Sequence, residues 1–231
     1  MFHILARGVI DIYYSIVSHL DQRIVMGMFD LLDNRERETY HCYKFQDNKN
    51  EFLSGRYLIK TVLARQLGIE PRNIVIEKNE DGKLFLSELF QDQAKGEIKF
   101  NISHSRGIVV LAATLDFELG VDVEKVDRPI DDIVERFFTI PEKQYVFSFN
   151  EPQRNAAAYK LWTLKEAYIK AQGKGLSMPL DSFDILNAAK QMYFMTIQPR
   201  PDYYLSVGAQ GEPCLFQNRV TEIDINRHTD R

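Results

Sequence analysis

The chain has 231 residues, 45% of them hydrophobic and 27% charged, a balance that excludes disorder and allows one large domain or two of about 100 residues each. A formal net charge of -4 excludes a broad nucleic-acid or anionic-membrane footprint, so any bound anion needs a local patch. The two cysteines, Cys42 and Cys214, lie far apart and outside any CxxC pattern, which argues against a disulfide scaffold and a zinc site and suits a reducing cytoplasm.

The first 17 residues are apolar but carry Arg7 and Asp11 and lead to no small-residue cleavage site, so they read as neither a signal peptide nor a membrane span. Residues 10–25 form a β-capable stretch broken by Ser-His and Asp-Gln, and residues 33–43 read as a polar helix running into a loop. Over residues 50–67, Phe52, Leu53, Leu58, Ile59, Val62, Leu63 and Leu67 recur at helical spacing, with Gly68 as a stop. This predicts an amphipathic helix whose other face offers Lys49, Arg56 and Lys60. Short strands at 73–77 and 84–86 flank an Asp81-Gly82 turn, with Lys83 at its edge. Strands at 99–102 and 108–114 flank Ser103-His104-Ser105-Arg106-Gly107, a polar hairpin loop that reads as a backbone cradle for a phosphate.

After Glu118 the pattern restarts, with a strand over 120–126, a helix over 131–137, an irregular stretch over 139–153 holding Pro141 and Pro152, and a long helix over 152–173. Strands follow at 183–186, 192–197, 203–208 and 214–217. Two comparable halves, residues 1–117 and 118–231, predict an α+β fold with its join near Glu118.

Within residues 120–125, a strand period of two puts Asp122 and Glu124 on one face and Val121 and Val123 on the other. Neighbouring carboxylates repel unless water or a cation screens them, so the pair reads either as half of a hard-cation site or as a solvated strand face. On the long helix, Trp162, Glu166 and Lys170 share one face at spacings of four. Taken alone, that is a Glu-to-Lys surface pair beside an aromatic. Gly173-Lys174-Gly175 ends the helix.

These blocks resemble a family. Phe100-Asn101-Ile102-Ser103-His104-Ser105, Gly120-Val121-Asp122-Val123-Glu124-Lys125, Arg136-Phe137-Phe138, Trp162-Thr163-Leu164-Lys165-Glu166-Ala167-Tyr168-Ile169-Lys170 and Gly173-Lys174-Gly175-Leu176 occur in one order. Together they closely resemble the 4'-phosphopantetheinyl transferases, and among these the single-chain, two-half type that activates peptide synthetases such as surfactin synthetase. The matching blocks span residues 53–185, and their joint occurrence is specific where each motif alone is weak.

The resemblance implies two similar α/β halves related by pseudo-twofold symmetry, each with a small antiparallel sheet and a long helix. It implies that coenzyme A binds between them and that, with Mg²⁺, its phosphopantetheine arm moves to a serine of an apo carrier protein, releasing adenosine 3',5'-bisphosphate. The N-terminal half would supply nucleotide contacts and the C-terminal half the metal site and catalytic helix. Carried onto this chain, the metal ligands are Asp122, Glu124 and Glu166. Glu166 would also be the general base, directly or through a metal-bound water, and Lys170 would stabilise the leaving group at the diphosphate. His104 falls where the family contacts the 3'-phosphate, Ser103 could donate to a phosphate oxygen, and Lys83 matches a lysine near the nucleotide.

Two departures stand out. Leu84 follows Lys83 where the family usually has proline, and the basic cluster before the first long helix is thinned to Lys49 and Arg56, with Lys44 or Arg37 as substitutes. Phe137, Phe138, Tyr145, Phe147 and Phe149 read first as packing, while residues 139–153 offer a carrier-docking surface using Phe147, Phe149 and Lys143. A cytoplasmic monomer is expected, since both halves lie in one chain. Two other readings compete: a coenzyme A or nucleotide-binding interaction module that has lost turnover, and a metal-dependent phosphoesterase with a water nucleophile.

Overall fold

The computed structural model describes residues 1–17, 20–93, 96–173, 175, 178–188, 192–211 and 216–228. Strand β1 (Val9–Ile16) leads to helices α1 (Gln22–Phe29), α2 (Asn34–Cys42) and α3 (Gln46–Leu67). A short hairpin, β2 (Ile76–Lys78) with β3 (Leu84–Leu86), precedes a longer one, β4 (Ile98–Ser105) with β5 (Ile108–Leu115). Then come β6 (Leu119–Lys125), α4 (Asp131–Phe137), α5 (Ile140–Phe147), α6 (Gln153–Gln172) and α7 (Ile185–Ala188). The chain finishes with β7 (Met192–Ile197), β8 (Tyr203–Gln210), β9 (Gln217–Glu222) and α8 (Ile225–His228).

Every residue of β5 is buried, as happens when both faces of a strand are covered. Its alternation explains how. Val109, Leu111 and Ala113 pack with Leu53, Leu58, Ile59 and Val62 of α3, while Ile108, Val110 and Ala112 pack against Val121, Val123, Leu205 and Val207 of the other half. The layers are therefore α3, a first sheet ordered β4-β5-β1-β9, a second sheet ordered β6-β8-β7, and α6. The fold is α+β in two halves, each laying a long helix on its own sheet. All pairings are antiparallel in the second sheet, and in the first only β9 runs parallel to its neighbour β1. That last strand returns to the first sheet, where Arg219 pairs with the fully buried Asp11.

Local chemistry accounts for the element ends. Asp33 and Glu36 form a capping box at the start of α2, with Glu36 N–H to Asp33 Oδ1 at 2.8 Å and Asp33 N–H to Glu36 Oε2 at 3.0 Å. The β-capable residues 10–25 split into β1 and α1, whose first turn is capped by Asp21 accepting the Arg23 N–H. Gly68 and Gly173 close α3 and α6 in the left-handed region, at φ 70° and 69°. The helix expected over 50–67 begins earlier, at Gln46, because its first turn is polar and exposed and carries no apolar period. The short strand expected at 73–77 starts later, after a 3₁₀ turn at Pro71–Asn73.

Three expectations are corrected. The irregular stretch over 139–153 contains α5: Pro141 sits in its first turn, where no N–H is required, and the Glu142 carboxylate accepts the Thr139 N–H at 2.7 Å. The strand expected at 183–186 is a 3₁₀ turn (Leu180–Ser182) followed by α7, started by the Asp184 side chain accepting the Leu186 N–H. The strand expected at 214–217 is β9, over Gln217–Glu222. Cys214, Lys174 and Leu176 lie outside the described residues.

Gly120 fixes how closely α6 approaches β6. A Cβ there would overlap the Ala167 carbonyl oxygen and the Ala171 amide nitrogen, and lie 2.7 Å from Lys170 Cβ. Both backbones would have to shift. Gly120→Ala is therefore expected to cost about 1–3 kcal/mol, a fall of several degrees in Tm for a chain of this size. Thermal unfolding reads it, and an unchanged Tm would mean that the two elements are not in contact at this point.

Candidate active site

Helix α6 presents three working faces. Ala167 and Ala171 meet the glycine on β6, and Thr163 Oγ1 bonds Ser206 Oγ of β8 at 2.8 Å. The fully buried Lys165 points to α5. The third face carries Trp162, Glu166 and Lys170, which line a cleft of about 380 Å³ together with Asp122, Glu124 and His104. Strand period and helix period thus converge on one wall.

Asp122 is 4% exposed, which rules out the solvated-face reading of this strand. Its Oδ1 accepts from Ser103 Oγ at 2.9 Å and from Lys170 Nζ at 2.7 Å, while Oδ2 is buried without a hydrogen-bond partner. Lys170 Nζ also reaches Ser103 Oγ and the Val121 carbonyl, each at 3.2 Å. Glu124 is raised above its ordinary range by burial first and by Asp122 second, against hydrogen bonds from Ser105 and the Trp162 indole. Glu166 is pushed up to about 7, by burial first and then by Asp122, with Glu124 adding to the effect and Lys170 opposing it.

Do these residues fit a divalent cation? Among the described residues no group of three or more His, Cys, Asp or Glu side chains is arranged to hold a metal ion as it stands. Lys170 is already paired with Asp122. Yet the wall holds three carboxylates from β6 and α6 with one ammonium against them, an orphaned buried oxygen on Asp122, and a Glu166 that resists ionising beside the other two. An all-oxygen donor set with surplus negative charge suits a hard cation such as Mg²⁺, and Asp122, Glu124 and Glu166 would hold it.

A raised carboxyl pKa has a definite linkage. The unfolded Glu166 titrates near 4.5 and the native one at about 7, so the native state binds more protons across that window. Its contribution to stability is present below pH 4.5 and is lost as the pH rises through about 7. In EDTA-treated protein, Tm should fall from about pH 5 to about pH 8 more steeply in the wild type than in Glu166→Gln. Parallel profiles would contradict the shift.

A second cleft of about 430 Å³ adjoins the first and shares Ile102, His104, Glu166 and Lys170 with it. Arg56 and Lys83 line it, as does Lys78, which carried no signal in the sequence. Arg56 is mostly buried, its Nε 3.0 Å from Glu36 Oε1 and its guanidinium over the Phe52 ring. Lys83 Nζ is held by Glu118 at 2.6 Å and by the Leu119 carbonyl at 3.3 Å. His104 is half exposed and its Nδ1 bonds Glu51 Oε2 at 2.8 Å. Lys49 is not among the residues lining either cleft, and its Nζ lies over the Tyr40 ring. Arg37 is engaged by the Leu32 carbonyl and the Phe29 ring.

The expected hairpin loop at 103–107 is corrected. Strand β4 runs through Ser105 and only Arg106 and Gly107 turn, at φ 46° and 87°, the positive pair that a two-residue hairpin requires. The Gly107 N–H donates to Glu51 and the Arg106 carbonyl accepts from Tyr203, so that turn offers no backbone cradle. Alternation divides the strand instead: Phe100, Ile102 and His104 face α3, and Asn101, Ser103 and Ser105 face β6. Glu51, Asn101 and Ser105 had been given no role of their own, although the period-two spacing of Asn101, Ser103 and Ser105 was a usable signal. Tyr145 and Phe147, read first as packing, are 39% and 37% exposed on α5. Lys143 Nζ bonds the Glu135 carbonyl at 2.6 Å. Among the described residues no helix is long and apolar enough to cross a membrane.

Comparison with known proteins matches this architecture in two pieces. A family model described as "4'-phosphopantetheinyl transferase, N-terminal" covers residues 21–116, and one described as "4'-phosphopantetheinyl transferase superfamily" covers residues 118–216. The chain is 30% identical over 223 residues to 4'-phosphopantetheinyl transferase gsp of Aneurinibacillus migulanus, spanning 94% of this chain and 90% of that one. It is 33% identical over 167 residues to 4'-phosphopantetheinyl transferase ffp of Bacillus subtilis, spanning 72% and 71%. To 4'-phosphopantetheinyl transferase Sfp of Bacillus subtilis strain 168 it is 33% identical over 151 residues, spanning 65% and 64%.

Proposed function

The chain belongs to the 4'-phosphopantetheinyl transferase superfamily, and from that premise we propose how its own residues perform the transfer. The reaction moves the 4'-phosphopantetheine arm of coenzyme A to a serine of an apo carrier protein. The serine Oγ–P bond forms as the diphosphate P–O bond breaks, and adenosine 3',5'-bisphosphate leaves. The observation that carries the mechanism is the shared wall: three carboxylates and Lys170 in one cleft, opening beside Arg56, Lys83 and His104 in the next.

Coenzyme A lies along the two clefts. Arg56, Lys83 and His104 of the first half meet its nucleotide, His104 on the 3'-phosphate side, whereas the one proton of Ser103 Oγ, expected at a phosphate oxygen, is given to Asp122 Oδ1. In the second half, Asp122, Glu124 and Glu166 would hold Mg²⁺. That cation, when bound, neutralises charge on the diphosphate and polarises the phosphoryl group under attack. Glu166 takes the serine proton, directly or through a water; its raised pKa of about 7 belongs to the metal-free site, and a cation against the carboxylate favours the ionised form that accepts the proton. Lys170 sits one helical turn further on and stabilises charge on the leaving bisphosphate. A single chain carries every one of these groups, so a monomer suffices for activity, and the two cysteines outside any CxxC pattern suit a cytoplasmic setting.

Two observations favour a second reading, a coenzyme A-binding module without turnover: Lys170 already pairs with Asp122, and Lys49 lines neither cleft. Incubation with coenzyme A, Mg²⁺ and a panel of apo carriers, followed by intact-mass measurement, separates the readings. Carriers heavier by one phosphopantetheine support the transferase. Coenzyme A binding with every carrier unmodified supports the module, and coenzyme A cleavage without a carrier supports a phosphoesterase.

A further inference from the structure

Strands β4 and β6 are each at an edge of their own sheet, and edges are where backbone N–H groups go unpaired. Here the two edges lie side by side without forming a backbone ladder. The amides of Val121, Val123 and Lys125, alternate residues whose N–H groups share one edge of β6, donate instead to side chains of β4. Val121 N–H reaches Asn101 Oδ1 at 2.9 Å, Val123 N–H reaches Ser103 Oγ at 3.3 Å, and Lys125 N–H reaches Ser105 Oγ at 3.4 Å.

Each serine then has its one proton left to give. A hydroxyl carries a single donor and two acceptor lone pairs, and an amide arriving at a lone pair turns the proton elsewhere. Ser103 Oγ donates to Asp122 Oδ1 at 2.9 Å and Ser105 Oγ donates to Glu124 Oε2 at 2.8 Å. Ser103 also accepts from Lys170, which saturates it. The three side chains therefore set the register of β6, and the two serines also tie back one oxygen of each of its carboxylates.

We infer that Asn101, Ser103 and Ser105 form a side-chain ladder across the seam between the halves, and that Ser105 is a positioning residue for Glu124. It acts through Glu124 and not on substrate. The inference rests on the reading that Asp122 and Glu124 hold the divalent cation. Groups that orient metal ligands from behind alter affinity by roughly 10- to 100-fold when removed.

The test is Mn²⁺ binding to the full chain with coenzyme A present, followed by electron paramagnetic resonance, together with amide hydrogen exchange at Lys125. Ser105→Ala should weaken Mn²⁺ binding by about tenfold and speed exchange of the Lys125 amide. Ser105→Thr, which keeps the hydroxyl, should restore both. Asp122→Ala serves as the reference. Loss of Mn²⁺ binding in Asp122→Ala with unchanged affinity in Ser105→Ala, whatever its Tm, overturns the positioning role and leaves the metal reading standing. Equal Mn²⁺ binding by wild type and Asp122→Ala overturns the metal reading, and the inference with it.

Discussion

Replacing Glu166 by alanine is expected to lower kcat for carrier modification by roughly 10²-fold or more at saturating Mg²⁺ and coenzyme A, with no loss of Tm in EDTA-treated protein. The two halves of that expectation have one cause. Glu166 is held among Asp122 and Glu124 in a buried wall that pushes its pKa up to about 7, an arrangement that works against the folded state whenever the carboxyl ionises. Functional sites concentrate such strain because the chemistry needs the charge there. Removing the side chain relieves repulsion and removes both the proposed oxygen donor to the cation and the proposed acceptor for the serine proton. Glu166→Gln keeps the shape and should lose the same activity. Steady-state kinetics beside thermal unfolding decides the matter, and turnover within a few-fold of wild type in either variant would remove Glu166 from the mechanism.

One residue earlier on α6 the expected effect is opposite in kind. Lys165 is fully buried, with its Nζ 2.7 Å from both oxygens of the fully buried Glu142, 2.8 Å from the Phe183 carbonyl and 4.3 Å from the Phe183 ring centre. Glu142 in turn accepts the N–H groups of Thr139 and Ile185, each at 2.7 Å. The pair thereby fastens α5 and the start of α7 to the back of α6. Lys165→Ala leaves an uncompensated carboxylate inside the protein and should cost about 3–5 kcal/mol, a drop in Tm on the order of 10 °C for this length. Combining Lys165→Met with Glu142→Gln should recover part of that loss, because both charges are then gone. Single variants within about 1 kcal/mol of wild type would show that water reaches the pair.

The comparison between sequence and structure turns on which signals are local. Asp122 and Glu124 beside Val121 and Val123, and Trp162, Glu166 and Lys170 at spacings of four, were legible because each rests on the period of a single element. Glycine stops at Gly68 and Gly173 were equally plain. What the sequence hid was mostly long-range. Ser103 and Ser105 resembled loop residues because their partners, the edge amides and carboxylates of β6, lie some 20 positions away. β9 depends on β1, with Arg219 and Asp11 separated by 208 positions. Helix α5 was masked by Pro141 and Pro152, read as breakers although the first of them sits in a permissive first turn. Lys49, taken from the basic cluster that the resemblance implies, lies over Tyr40 and lines neither cleft.

The central claim is that β6 and α6 together form a cation site in which the helix supplies the third carboxylate. Its most direct test is the anomalous difference density of a crystal grown with Mn²⁺ and coenzyme A. A peak bounded by oxygens of Asp122, Glu124 and Glu166 is expected. A peak elsewhere, or a bound coenzyme A with no cation against those three side chains, would contradict it.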